Sequence, residues 1–291
     1  MSASPSRRTL RGLAAYVRPA FMLPAVGMSA VGGLLAPTFE PLPAALHAAA
    51  VGLALYAAHL NDGYVDAHVR GEEEPKLSRR GNRSAVAATT LVLLVTLGGL
   101  AATAGPASAV VTAPLWLLAA FHAPYLDVHP LTVTTDYPLG IGLVLVGGYL
   151  AQATTLSALV AAVAVVFVVL LSGVKISVDR LDYAFDRSIG KRTVPVAVGE
   201  ETAAVASAAV LTFASVLVGG FVTVGVFPPA AATAAAFPAL AGVAGLAVST
   251  ERAVRFQMLL TYPFTAILVA ACCTARTCAL GAALLGPSGI V

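Results

Sequence analysis

Two short acidic clusters carry the side chains of this chain that are best suited to chemistry. They hold five of the fourteen Asp and Glu residues, and each follows a long apolar stretch. Within a cluster the carboxylates are three, four or seven residues apart, so on a helix they would share one face and repel one another. A divalent cation relieves this repulsion, and Mg2+ held by few carboxylates keeps coordination positions open for substrate phosphates. These carboxylates are Asp62 and Asp66 in the first motif (residues 61–66), and Asp179, Asp182 and Asp186 in the second motif (residues 179–186).

The elements that must position these motifs are membrane helices. The chain has 291 residues, of which 58% are hydrophobic and 11% charged, and this composition is too apolar for a soluble protein of that length. Its apolar runs are about as long as the roughly 20 residues that cross a bilayer as a helix. We therefore predict nine spans, near residues 17–36, 42–61, 84–104, 107–125, 137–153, 156–176, 202–224, 229–248 and 256–275.

Lys and Arg are distributed asymmetrically between the ends of these spans. If the basic tail of residues 1–16 is cytoplasmic, every Lys and Arg except Arg276 falls on the cytoplasmic side. The turns on the opposite side contain neither residue type. This is the positive-inside pattern, and it predicts a multi-pass protein of the cell membrane whose N-terminus and acidic motifs are both cytoplasmic.

The two motifs also recur at a regular interval along the chain. The first motif follows span two and the second follows span six, and a basic loop comes after each. We interpret residues 1–291 as one domain of two four-helix pseudo-repeats plus a ninth helix. The fold class is then an all-α membrane bundle around a central cavity, with the two motifs facing each other across its cytoplasmic mouth.

Carboxylates ringed by basic side chains and backed by an apolar cavity suit a substrate with a diphosphate head and a hydrocarbon tail. Mg2+ would neutralise charge on the leaving diphosphate, and Arg70, Lys191 and Arg192 could grip its oxygens. If the tail is allylic, a dry cavity wall would protect the carbocation from water, and aromatic faces would stabilise it. The aromatic candidates are Tyr56, Phe121 and Tyr149.

At these motifs the chain resembles the UbiA superfamily of intramembrane prenyltransferases. The first motif is similar to the family's NDxxDxxxD through Asn61, Asp62 and Asp66. The second motif, continued by the segment Gly190-Lys191-Arg192-Thr193-Val194-Pro195, is similar to DxxDxxxDR…GKRTLPV and is the stronger match. Arg18-Pro19 also matches a frequent family opening, so the resemblance extends over nearly the whole chain.

The resemblance implies Mg2+-dependent transfer of a prenyl group from a polyprenyl diphosphate to a lipophilic acceptor, with no role for nucleic acid. The acceptors of such enzymes include quinone precursors, ether lipids, carotenoids and tetrapyrroles, and nothing in this sequence chooses among them. The implied catalytic residues are Asp62, Asp66, Asp179 and Asp182. The implied metal ligands are Asn61, Asp62, Asp66, Asp179, Asp182 and Asp186. The implied diphosphate contacts are Asn61, Arg70, Lys191, Arg192 and Arg18.

The chain also departs from the family pattern at two places. Arg70 stands where the first motif usually has its last Asp, and Asp127 and His129 stand where the family often has basic residues between spans four and five. Two interpretations stay open. Either Arg70 replaces a missing diphosphate contact, or the chain is a divergent member with altered activity, for example a prenyl cyclase.

Two other classes of membrane protein are less consistent with the residues. Asp62-Gly63 invites comparison with CDP-alcohol phosphotransferases, but Asp66-Ala67 and Lys76 break that pattern and its closing Asp pair is missing. An ion-coupled transporter would place its acids near the bilayer midplane on interrupted helices. Here the acids cluster at one end of the spans, which disfavours transport.

Several other polar residues are explained by packing. Lys175 and Arg180 suit interfacial anchoring as well as diphosphate binding. His47 and His59 are expected to pack rather than bind metal, although His59 shares a helix face with Asp62. The cysteines show neither a disulfide framework nor a metal-ligand spacing, so we expect all three to pack in or after the last span. They are Cys272, Cys273 and Cys278.

Overall fold

Helices make up almost all of the described chain. The computed structural model describes residues 5–274 together with residues 278 and 279, and Arg276 lies outside them. One 3-10 segment (Pro229–Ala235) and two π-helical turns (Asp66–Arg70 and His122–Leu126) connect the α-helices. The α-helices are α1 (Pro5–Ala14), α2 (Pro19–Leu34), α3 (Pro41–Val65), α4 (Arg79–Ala104), α5 (Pro106–Thr112), α6 (Pro114–Phe121), α7 (Pro130–Leu150), α8 (Ala158–Asp179), α9 (Tyr183–Ser188), α10 (Val194–Val198), α11 (Glu200–Thr223), α12 (Ala236–Ala247) and α13 (Thr250–Thr274).

Eight helical segments in the described ranges are long and apolar enough to cross a membrane. A ninth span is possible where Arg7–Ala14 and Pro19–Leu34 meet at a bend of 60°. This confirms the predicted all-α membrane fold of about nine spans, so the chain is a multi-pass membrane protein. Part of the predicted basic tail forms α1. The four-helix pseudo-repeat stays a prediction.

Proline residues mark where several of these helices begin. Proline fixes φ near the helical value, and its missing N–H costs nothing in the first turn, where amide groups have no partner within the helix. Ser78 and Ser157 cap α4 and α8 by accepting hydrogen bonds from the backbone N–H of Gly81 and Val160. The helices with proline in the first turn include α2, α3, α5, α6 and α7.

Close backbone contact between α2 and α7 depends on glycine. A Cβ on Gly32 would lie 2.1 Å from the Leu145 carbonyl oxygen, and one on Gly148 would lie 2.4 Å from the Ser29 carbonyl oxygen. Small residues at such interfaces let membrane helices approach closely. On its other side α7 packs against α8, which packs in turn against α11 and α13. Helices α7 and α8 are the most enclosed of the spans.

The cysteines at the end of α13 depart from the prediction. Cys273 and Cys278 form a disulfide, with their Cα atoms 5.3 Å apart, so the expectation that all three cysteines only pack was wrong for this pair. The amide of Ala279 donates to the Ala36 carbonyl at 2.7 Å. The chain therefore turns back after α13 toward the end of α2, and sequence spacing alone does not reveal such a turn.

Candidate active site at the ends of α3 and α8

The first motif occupies the end of α3 and the π-helical turn that follows it. Helix α3 runs without interruption to Val65, and the turn ends at Gly71, whose φ of 70° is a conformation that favours glycine. Gly63 is required for packing, because a Cβ there would lie 2.1 Å from a ring carbon of the buried Tyr16. The glycine that suggested a phosphotransferase motif therefore has a structural role.

Asn61 and Asp62 each contact a different neighbouring segment. The Asn61 amide nitrogen donates to the backbone carbonyls of Ala120 at 3.3 Å and Ala123 at 2.9 Å, which ties α3 to the end of α6. Its side-chain oxygen stays available as a ligand. The Arg18 guanidinium lies 3.8 Å from the Asp62 carboxylate, so the bend between α1 and α2 brings a cation to the first motif.

Arg70 lies at the end of the π-helical turn and is held by two carboxylates. Its terminal nitrogens donate to the two Asp127 oxygens at 2.6 and 2.9 Å, and one of them lies 3.5 Å from Asp66. Asp127 is only 2% exposed. Arg70 and Asp127, two of the three residues that depart from the family pattern in sequence, are therefore direct partners in space.

The second motif is divided between two helices. Helix α8 ends at Asp179, and Asp182 precedes α9, which begins at Tyr183 and contains Asp186. The expectation that all three carboxylates share one face of a single helix was therefore wrong, because the chain leaves the helical path between Asp179 and Asp182. Asp179 and Asp186 are buried, whereas Asp182 is exposed.

The charges of the second motif are balanced locally. Lys175, one turn earlier on α8, forms an ion pair with Asp179. Burial raises the pKa of the Asp186 carboxyl, and the nearby Lys191 charge partly opposes this effect. Neutralising cations of this kind reduce the repulsion between the clustered carboxylates.

Lys191 connects the two motifs. Its backbone N–H donates to the Asp186 carbonyl at 2.9 Å, in a turn where Gly190 has a φ of 77°. Its ammonium group lies 3.9 Å from Asp127, and its charge acts on both Asp66 and Asp186. Arg192 is exposed beside it.

The carboxylates that the sequence predicts as metal ligands offer suitable atoms but are not gathered into one cage. One buried oxygen of Asp66 and one of Asp179 accept no hydrogen bond, although the Asp66 oxygen lies 3.5 Å from Arg70. Carboxylate oxygens are the donors that a hard cation prefers. Among the described residues, no three His, Cys, Asp and Glu side chains lie close enough together to hold a metal ion. The donor chemistry thus fits Mg2+, with one such oxygen in each motif.

A cavity of about 570 Å3 opens beside the first motif, between α3, α4 and α6. Asn61, Tyr64 and Arg83 line the end nearest the acidic motif, with the Arg83 guanidinium over the Tyr64 ring at 5.2 Å. Leu91, Leu94 and other apolar side chains line the rest. This polar-to-apolar gradient suits an amphipathic ligand.

A hydrogen-bonded pair that the sequence motifs did not indicate lies close to the first motif. His122 Nδ1 is hydrogen-bonded to the carboxylate of Asp136, which is 6% exposed and also accepts the Tyr137 N–H at 2.6 Å. The charge of Asp62 acts on the same imidazole. A carboxylate inside a membrane helix requires a partner, so Asp136, directly before the predicted span of residues 137–153, was the available signal.

The remaining candidates mostly have packing roles. His47 is buried and contacts the Ser29 hydroxyl at 2.7 Å, and His59 contacts the Tyr16 carbonyl at 3.2 Å, as expected for packing. Tyr56 donates to the Leu13 carbonyl at 3.0 Å. Tyr149 stands near the far end of α7, about 28 Å along the helix from its start at 1.5 Å per residue. It is therefore too distant to face a carbocation at the acidic motifs.

The fold and the motifs define a family of membrane proteins. The model of the UbiA prenyltransferase family matches residues 21–258, which is most of the chain. The protein belongs to the UbiA prenyltransferase family. No curated protein matches the chain by sequence.

Solved structures of UbiA homologues share this architecture. A structure described as digeranylgeranylglyceryl phosphate synthase has a TM-score of 0.72 at 15% identity, covering 94% of this chain and 99% of its own. A UbiA homologue from Archaeoglobus fulgidus bound to GPP and Mg2+ has a TM-score of 0.68 at 15% identity. The match covers 91% of this chain and 99% of the homologue. The apo homologue from Aeropyrum pernix K1 has a TM-score of 0.65 at 22% identity, covering 89% and 99%. At these identities the likeness shows a common fold.

Proposed function

We propose that this protein is a Mg2+-dependent prenyltransferase that moves a prenyl group from a polyprenyl diphosphate to a lipophilic acceptor at the cytoplasmic membrane face, as one domain over residues 1–291. Family membership supports prenyl transfer in general. The single observation that carries the proposal is the buried carboxylate oxygen without a hydrogen bond in each motif, on Asp66 and on Asp179.

The residues divide into two functional groups in this proposal. The carboxylates and Asn61 hold Mg2+, as their oxygen atoms suit a hard cation. The basic side chains at the mouth contact the diphosphate oxygens. The proposed metal ligands are Asn61, Asp62, Asp66, Asp179, Asp182 and Asp186. The proposed diphosphate contacts are Arg18, Arg70, Lys191 and Arg192, together with Asn61.

The proposed reaction breaks the bond between the prenyl carbon and the diphosphate oxygen. The electron pair leaves with the diphosphate, and the acceptor supplies the pair for the new bond and loses a proton. Bound Mg2+ would neutralise the charge that builds on the leaving group. The basic side chains orient the diphosphate, and apolar helix surfaces exclude water from the reacting carbon.

Two further observations support the proposed prenyl substrate and the proposed orientation of the protein in the membrane. The cavity between α3, α4 and α6 is polar near Asn61 and apolar beyond it, which suits a hydrocarbon chain whose polar end lies at the motif. The disulfide between Cys273 and Cys278 is at the opposite end of the bundle, beside Leu35 and Tyr149. Because disulfides persist in oxidising compartments, its position supports acidic motifs that face the cytoplasm.

The test is metal-dependent consumption of a prenyl diphosphate. Membranes that contain the protein are incubated with Mg2+, labelled prenyl diphosphates of several lengths and a lipid extract of the native organism. We expect a labelled lipid product, identified by mass, whose formation stops when EDTA removes the metal. Membranes without the protein are the control. If the donor is not consumed, the enzyme proposal fails and the ion-coupled transporter becomes the better explanation. Conversion of the donor alone into a cyclic product would instead indicate a prenyl cyclase.

A further inference from the structure

We propose that Asp127 is a positioning residue that holds Arg70 and Lys191 across the mouth between the two motifs, so that both cations meet the diphosphate together. The inference rests on the function proposed above and deepens it. It assigns a role to Asp127, a carboxylate that would repel an anionic substrate if no cations lay beside it.

The contact between Asp127 and Arg70 is an almost fully enclosed, two-point interaction. Both Asp127 oxygens accept a hydrogen bond from Arg70, at 2.6 and 2.9 Å, and the Asp127 side chain is 3% exposed. Paired bonds between a guanidinium and a carboxylate fix orientation as well as distance. The guanidinium has five N–H groups, so donors remain for a second anion after Asp127 has taken two.

Lys191 approaches the same carboxylate from another part of the chain. Its ammonium group lies 3.9 Å from an Asp127 oxygen, while its backbone N–H is bonded to the Asp186 carbonyl. The 3.9 Å distance is longer than a hydrogen bond, so the ammonium group is near Asp127 but not saturated by it. Asp127 therefore links the turn after α3 to the loop before α10.

The charges explain why this arrangement favours an anionic substrate. A buried carboxylate without a partner is strongly unfavourable, and it would also repel a diphosphate. Arg70 and Lys191 carry two positive charges against the one charge of Asp127. Arg70 also lies 3.5 Å from Asp66, a carboxylate that Mg2+ would neutralise in the proposed function, and a positive charge would then be left for the diphosphate. The Arg70 and Lys191 side chains are 17% and 25% exposed, so solvent and a ligand can reach them.

The first test replaces the carboxylate by its neutral isostere. Asp127→Asn keeps the shape but removes the charge that orients both cations. We expect the Kd of Mg2+-geranyl diphosphate for the purified protein in nanodiscs to rise about tenfold, the effect of losing one charge-assisted hydrogen bond. Lys191→Gln leaves the pair between Arg70 and Asp127 intact, so it should raise the Kd similarly without lowering the melting temperature (Tm).

A charge swap separates positioning from simple structural pairing. Arg70→Asp combined with Asp127→Arg restores an ion pair but places an arginine beside Lys191. If Asp127 positions both cations, the double variant regains Tm relative to the single variants, yet its Kd stays raised about tenfold. If the pair of Arg70 and Asp127 were purely structural and neither its geometry nor Arg70 itself served diphosphate binding, the double variant would regain both.

The matched control is the exposed ion pair in the same loop. Glu73 and Lys76 lie 2.9 Å apart with half-exposed side chains, and swapping them should leave the Kd unchanged, although Lys76 also lies over the Tyr16 ring at 5.3 Å and the Tm can shift slightly. A wild-type Kd in Asp127→Asn, or in the charge-swapped double variant, overturns the inference. If Asp127→Asn does not fold, the Kd of the Lys191→Gln variant is the test. A wild-type Kd in Lys191→Gln also overturns the inference. If the wild-type protein binds neither geranyl diphosphate nor longer prenyl diphosphates, the proposed function fails instead.

Discussion

The imidazole of His122 is hydrogen-bonded to the carboxylate of Asp136, a buried acid two turns inside α7. The pair joins the end of α6 to α7, beside the backbone carbonyls that bind Asn61. Because Asp136 is 6% exposed, each partner depends on the other for its charge balance. The pair therefore helps to fix the segment that Asn61 of the first motif contacts.

Replacing one partner of this pair should destabilise the protein more than replacing both partners. His122→Leu leaves Asp136 buried with only the Tyr137 N–H as a partner, and we expect a loss of about 3 kcal/mol, since an unpaired buried charge costs about this much. The double variant His122→Leu with Asp136→Leu should recover most of that loss. Thermal unfolding in detergent measures both, and Thr135→Ala, at a half-buried neighbouring position whose hydroxyl bonds only the Leu131 carbonyl of the same helix, is the control. If the double variant loses as much stability as the two single variants together, or more, the two side chains are not coupled and the pairing is contradicted.

Removing one carboxylate from either motif should abolish turnover without unfolding the protein. Asp62→Ala and Asp182→Ala each delete a proposed Mg2+ ligand, and we expect prenyl diphosphate consumption to fall by about a hundredfold or more. Initial rates with labelled donor measure this, and size-exclusion profiles and Tm check the fold. Glu74→Ala, an exposed acid in the loop after the first motif, is the matched control. Full activity in either Asp variant would refute its assignment as a ligand.

The glycine in the first motif should be essential for packing. Gly63→Ala would place a Cβ 2.1 Å from Tyr16, so α3 must shift and we expect a loss of about 1–3 kcal/mol of stability. Gly52→Ala lies on the same helix with no atom within 4 Å of the added Cβ, so it should be neutral or slightly stabilising, because alanine favours helix. Chemical or thermal unfolding compares the two. Equal stability of both variants would show that Tyr16 moves away easily.

The orientation in the membrane can be tested by labelling with a reagent that does not cross it. In a variant without native cysteines, a cysteine at Glu74 should be labelled from the cytoplasmic side only, since basic loops stay inside. A cysteine at Thr155, between α7 and α8, should be labelled from the opposite side only. Inverted and right-side-out vesicles provide the two arms. Labelling of both positions from the same side would exclude the predicted topology.

The amino-acid sequence by itself determined the membrane class, the approximate spans and the two acidic motifs. These features are local, because a run of about 20 apolar residues must become a helix in lipid whatever its neighbours are. Two boundaries also followed local chemistry, since Pro19 and Pro41 start helices close to their predicted positions. Helix α7, in contrast, begins at Pro130, well before the predicted start at residue 137. The family motifs likewise required only short-range spacing.

The tertiary structure alone decided which residues are partners. The break in the helix between Asp179 and Asp182, the disulfide between Cys273 and Cys278, and the pairing of Arg70 with Asp127 were not visible in the sequence. Arg70 and Asp127 are far apart along the chain, and each looked like an isolated departure from the family pattern. A buried charge is stabilised by whichever opposite charge the packing of separate helices brings to it, and that depends on three-dimensional contacts rather than on local spacing.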